Sequence, residues 1–282
     1  MNRVSVRTLF SLGGIALAAA LAAAPAAAQT GSALDQWVRY PVTPVPFGPG
    51  EKLEYRITYG ILGGVGSGSL LIAGVDSIRG MPAYNIQFRM KGGIPLARVD
   101  DSMQSWLDVQ RLQSHRFEQD IDEPGMDRHR IIDFLPEQSL WRQVNLTKGT
   151  EDEGPLATDA PLDDISFLYY VRTLPLEVGQ TYTLNRYYKN DGNPVTVKVL
   201  RRETVEVPAG KFDAIVVQPI IKTKGMFSEG GEAEVYFTDD ERRLVVYMKT
   251  KLSIGTLKLH MTAYSPGGRL VPMPAQPNDT SK

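Results

Sequence analysis

One strongly apolar helical signal among many alternating strands narrows what this chain can become more than any other feature. Between Pro161 and Pro175, Ile165, Leu168 and Tyr169 recur at helical spacing, while Phe167 and Val171 widen the apolar stripe. Asp163 or Asp164 can cap the first free amides, where a carboxylate also suits the positive end of the helix dipole. Pro175 ends the run, so a helix is expected over about residues 163–174. A lone helix this apolar must be buried, and the surface available to bury it is the concave side of a sheet.

The strands are written in period two. Leu53, Tyr55, Ile57 and Tyr59 alternate with Glu54, Arg56 and Thr58, and Tyr84, Ile86, Phe88 and Met90 repeat the pattern. Pro124 and Gly125 mark a hairpin whose register sets His129 opposite Asp120 and Arg116 opposite Asp133. Residues 147–158 are acidic and non-periodic and read as an exposed loop. Asn190, Asp191, Gly192 and Asn193 signal a turn between strands over 181–189 and 195–205. The expected fold is mainly β, a strongly curved antiparallel sheet or open barrel of about eleven strands around one central helix, because long sheets curl, split or close. Two lobes flanking the helix are the alternative topology.

The ends read differently from this domain, which is expected over residues 50–265. Residues 1–28 read as a signal peptide: Arg3 and Arg7, an apolar stretch from Leu9 to Ala24, and small residues at Ala26, Ala27 and Ala28 before Gln29. Residues 29–49 form a Pro-rich linker, with Trp37 and Tyr40 expected to pin it to the domain, and residues 266–282 form a disordered tail. No later stretch approaches the ~20 apolar residues of a membrane helix. An exported chain, periplasmic or extracellular, is expected. Without the leader, 29 basic residues face 32 acidic ones, a balance that argues against nucleic acid as a partner. The chain has no cysteine, which removes disulfides, thiolate chemistry and Cys-bound metals.

Four blocks of residues resemble a known family. They are Phe47–Tyr55, the small-residue run Gly66–Leu70, Asp163–Arg172 and Val207–Phe212. Together they resemble the bacterial family catalogued as domain of unknown function 3108, over about Phe47 to Tyr264. The resemblance implies an exported, β-rich envelope protein with no assigned activity and no catalytic residues to carry over.

Familiar catalytic patterns are missing. The glycines from Gly63 to Gly68 follow a strand, but Ser69 stands where a dinucleotide fingerprint needs glycine, and a strand follows rather than a helix. These glycines read instead as permitting a bend or close backbone packing. His115, His129 and His260 lack metal-ligand spacing, no nucleophile elbow occurs, and the adjacent acid pairs point in different directions. No catalytic residue, metal site or cofactor is therefore assigned, and an enzyme is the less favoured class.

Aromatic residues remain. Tyr169, Tyr170, Tyr182, Tyr187 and Tyr188 cluster in and after the helix, and Met226 and Phe227 sit in a Gly-flanked segment. They fill the core, or they rim an apolar cavity between helix and sheet. The leading expectation is a non-enzymatic binder of a lipid, another apolar ligand or a partner segment. Its site is placed at Tyr169 and Tyr170, with Gly66 and Ser67 near the mouth. The alternatives are a hydrolase of envelope polymers and a structural interaction module.

Overall fold

The computed structural model describes residues 43–60, 63–94, 97–221, 233–252 and 255–268. The expected leader, the linker up to residue 42 with Trp37 and Tyr40, Met226 and Phe227, and the tail beyond residue 268 lie outside the described residues.

The first half of the domain is a meander of β1 (Lys52–Tyr59), β2 (Gly64–Ile78), β3 (Met81–Ile94), β4 (Ala97–Asp108), β5 (Ser114–Glu123), β6 (Met126–Leu135), β7 (Leu140–Asn145) and β8 (Thr150–Pro155). Helix α1 (Asp164–Val171) follows. The second half comprises β9 (Thr181–Leu184), β10 (Val195–Val207), β11 (Gly210–Ile220), β12 (Glu234–Thr238), β13 (Val245–Leu252) and β14 (Gly255–Ser265). All fourteen strands join one antiparallel sheet, in which β1 pairs with β14 to weld the two meanders. The sheet is strongly curved and not closed, with β8 and β9 as its edges. It is the single curved sheet expected from the alternation, with fourteen strands where about eleven were expected.

Two differences have local causes. The acidic stretch expected as a loop contains edge strand β8, whose residues are mostly exposed. A strand that meets water on both faces carries no apolar alternation to reveal it. The strand expected to reach residue 189 stops at Leu184, which pairs with Val195. The intervening connection holds a short 3-10 turn over Asn190–Gly192 and swings Tyr187 and Tyr188 inward.

Curvature comes from several register shifts, among them those between Ile72 and Gly74, Val199 and Arg201, and Tyr236 and Phe237. Each bulge bends its strand and increases the twist. The second half curls far enough for β10 to contact β13 and β14, and the Ala209 amide donates to the Met261 carbonyl at 3.0 Å. Gly66 and Gly92 face each other across β2 and β3. A Cβ on Gly66 would lie 2.3 Å from the Lys91 carbonyl oxygen, so close backbone approach excludes a side chain there.

Helix α1 packs against β3 and β4 on the concave side. Ile165, Phe167, Leu168, Tyr169 and Val171 are all buried, so the helix is apolar around nearly its whole circumference. Burying a Phe or Leu side chain contributes about 1.5–3 kcal/mol, which identifies this short helix as a core element. Its start is fixed by a capping box. Asp163 accepts from the amides of Ile165 and Ser166, each at 2.9 Å, and Ser166 Oγ accepts from the Asp163 amide at 2.9 Å. Ser105 Oγ donates to the second Asp163 oxygen at 2.7 Å, tying the cap to β4.

Candidate functional site

The sheet's inward series changes character along β6. Phe134 and Ile132 are fully buried core residues, but the next two positions of the same parity, Arg130 and Arg128, face a cavity. On neighbouring β5 the inward residue between Phe117 and Ile121 is Gln119. The cavity has a volume of about 300 Å³, at the lower end of the range usual for small-molecule sites. Its deep wall is apolar: Leu70, Phe88, Val245, Met248 and Leu259 from the sheet, with Ile165 and Leu168 from α1. Tyr55 also lines it, fixed by a 2.9 Å hydrogen bond from its hydroxyl to the Val245 carbonyl.

The polar wall lies toward the opening, where Asp191 is exposed and Arg128, Arg130, Tyr187 and Lys189 are half-buried. Gln119 Oε1 accepts from Arg128 Nη2 at 2.8 Å and from Arg130 Nε at 3.0 Å. Arg130 Nη1 also donates to Gln143 Oε1 at 3.1 Å. Arg128 Nε is buried without a partner. Lys189 Nζ lies 4.3 Å from the Trp141 ring centroid and 5.3 Å from that of Tyr188. Burial holds the Arg128 guanidinium below its ordinary range, and the Arg130 charge adds to that. Asp164, at the first turn of α1, is pushed up to about 6 by burial and by the charge of Asp163, with Arg130 and Arg128 opposing.

A second polar arrangement sits at the other end of the helix, away from the walls of this cavity. Arg172 donates to Glu51 from Nη1 at 2.6 Å and from Nη2 at 2.9 Å, and both side chains are about 2 % exposed or less. The guanidinium carbon lies 5.1 Å from the Phe47 ring centroid and 5.0 Å from that of Tyr169. Phe47, at the end of the expected linker, is thus part of the core.

Each residue placed in the site from sequence can now be located. Tyr169 is fully buried, its ring edge-on to Phe47 at 5.0 Å and its hydroxyl without a partner. Burial raises that hydroxyl's pKa well above the ordinary tyrosine range. Tyr170 is half-buried beneath the Arg186 guanidinium, 4.4 Å from its ring. Gly66 and Ser67 lie within β2, paired to Ile57 and Arg56 of β1. None of the four lines the cavity; Ile165 and Leu168 of the same helix do.

Sequence reasoning missed Gln119, Arg128 and Arg130. The hairpin register held a signal for the arginines, because it fixed the parity of β6. The same register is observed, with Asp120 opposite His129 and Arg116 opposite Asp133. The histidines are dispersed: His115 Nε2 is 2.8 Å from Asp108 and His129 Nε2 is 2.7 Å from Glu118, while His260 packs against Tyr247. Two carboxyls do meet, Asp101 and Glu123, and Asp101 is pushed up to about 7 by burial and its neighbour. They are not on the cavity wall.

Fold and cavity together define a protein of one open, strongly curved antiparallel sheet that packs a single helix and leaves a lined space beside it. The chain belongs to the family described as protein of unknown function (DUF3108), whose sequence model matches residues 54–262. Among solved structures it is similar to a β-barrel-like protein of domain of unknown function DUF1849 from Brucella abortus. That likeness has a TM-score of 0.49 and 8% identity, and covers 80% of this chain and 100% of that one. It is also similar to an exported-protein candidate of YmcC-like fold from Bacteroides fragilis, at a TM-score of 0.29 and 11% identity over 80% of this chain and 100% of that one. A lipoprotein candidate from Parabacteroides distasonis matches at a TM-score of 0.29 and 10% identity, over 78% of this chain and 98% of that one. No curated protein matches the chain.

Proposed function

We propose that this is an exported, non-enzymatic binding protein that holds an apolar or amphiphilic molecule in the cavity between α1 and the sheet. The carrying observation is the gradient along that cavity, from a buried wall of Leu, Ile, Val, Met and Phe side chains to a half-exposed polar mouth. Side chains in a close-packed core would fill such a volume, because an unfilled apolar space forfeits contact energy. An apolar guest recovers that energy and removes its own surface from water at about 25 cal/mol per Å². Export is supported by the charged start, apolar stretch and small residues of the first 28 positions.

The test is fluorescence titration of the purified protein with N-phenylnaphthylamine, a neutral apolar probe. Saturable binding at one site is expected. Met103 lines the cavity and is half-buried, so Met103→Trp should fill the space and abolish binding while cooperative unfolding persists. A protein that does not bind the probe, or a variant that binds it as well as wild type, would overturn the reading.

A further inference from the structure

The polar mouth carries a charge arrangement that an apolar guest alone does not account for. Arg128 and Arg130 stand side by side on one face of β6 and share a single neutral acceptor, Gln119 Oε1. Among the described residues neither makes a salt bridge to a carboxylate, although Asp164 and Glu123 are near enough to act on Arg128 through space. Arg172, at the other end of the helix, is by contrast held by both oxygens of Glu51. Partly buried like charges repel and lose hydration, so such a pair is costly until an anion arrives. Lys189, on the far side of the mouth, rests on aromatic rings rather than on an acid.

The carboxylates on the wall do not cancel these cations. Asp164 and Asp191 face Arg128, Arg130 and Lys189. Three cations therefore stand against two acids, and the wall keeps a net positive charge. The Arg128 and Arg130 side chains both line the cavity, and the acceptor they share is an uncharged amide oxygen. A carboxylate or phosphate entering there would accept from a planar fork, the geometry in which arginine recognises such groups best.

We infer that the bound molecule is an amphiphile with an anionic headgroup, received by Arg128 and Arg130 at the mouth while its chain lies against Leu70, Phe88 and Leu168. This rests on the cavity reading above and specifies the chemistry of its ligand. The shared requirement is a single-chain anion, and both an acyl carboxylate and an alkyl phosphate satisfy it.

The experiment displaces N-phenylnaphthylamine from the wild-type protein with dodecanoate, dodecyl phosphate and dodecanol, three guests of one chain length. The two anions should compete at least about tenfold more strongly than the alcohol, an advantage that shrinks as salt is raised. Their order distinguishes a carboxylate from a phosphate ligand. Arg128→Gln and Arg130→Gln should each weaken competition by the anions about tenfold relative to dodecanol measured on the same variant. Equal competition by all three guests would overturn the headgroup inference and leave the cavity standing; failure of the probe to bind would remove the cavity itself. The wild-type comparison decides the matter even if a variant fails to fold.

Discussion

Arg172 and Arg128 are both enclosed by the same curved sheet and border the same helix, yet they are treated in opposite ways. Arg172 has a carboxylate on its fork, a backbone carbonyl at 2.9 Å and aromatic faces on either side. Arg128 has one amide oxygen and a like charge beside it, and the Nε of each arginine is without a partner. The first guanidinium is paired with a carboxylate; the second has only a neutral amide on its fork and lines the cavity. The difference separates a polar cluster that holds the fold from one poised to hold something else. A buried charge already satisfied by protein has little to offer a ligand, while one satisfied only by an amide does.

The contrast can be broken most forcefully at Glu51. Glu51→Ala leaves the Arg172 charge buried without its partner and should cost about 3–5 kcal/mol of unfolding free energy, read by urea denaturation. Arg128→Gln, by comparison, should change stability by no more than about 0.5 kcal/mol. Replacing Glu51 by Leu and Arg172 by Met together should recover most of the loss, because the penalty lies in the unpaired charge. Similar losses at Glu51 and Arg128 would erase the distinction between the two ends of the helix.

A smaller effect is expected at the helix start, where closed and open sides meet at adjacent acids. Asp163 is fully committed to amides and to Ser105, while its neighbour Asp164 lines the cavity. Asp163→Ala should cost about 1–2 kcal/mol in thermal or urea unfolding, with Asp163→Asn retaining much of the cap. Asp164→Asn should not destabilise, and above about pH 6 it should stabilise, because a carboxyl raised by burial weakens the fold once ionised.

A pH profile sharpens the comparison further. Asp101 is buried against Glu123, the acid that also acts on Arg128, and its folded carboxyl is raised to about 7. The unfolded chain releases that proton near pH 4, roughly its unperturbed value. Between about pH 4 and pH 7 the folded state therefore binds more protons, and this group's contribution to stability falls as pH rises. Asp101→Asn should remove that slope, making the variant more stable than wild type above about pH 7 and no more stable at pH 4. An unchanged pH profile in the variant would place the titration elsewhere.

Much of the frame was legible because its cause is local. Period-two alternation gave the inward faces of β1 and β3, and Pro124 with Gly125 gave the β5–β6 register residue by residue. The apolar helix was readable from fifteen consecutive positions, with its cap narrowed to Asp163 or Asp164, of which the fold uses Asp163. Strand β8 and the early end of β9 were not, because neither an exposed edge nor an inward-swinging connection leaves a periodic trace.

The sequence by itself determined that a buried helix must sit in a curved antiparallel sheet, since apolar spacing and caps depend only on near neighbours. Only the tertiary structure decided what those surfaces enclose. Glu51 and Arg172 are separated by 121 positions, and nothing local tells either of them that it will meet the other. Tyr169 and Tyr170 have the composition of a cavity rim, but the helix turns Ile165 and Leu168 to the space instead. Arg128 and Arg130 read as ordinary polar members of a strand until sheet curvature turns their face inward. Curvature is the sum of bulges and twist over many strands, so the cavity is a property of the whole sheet.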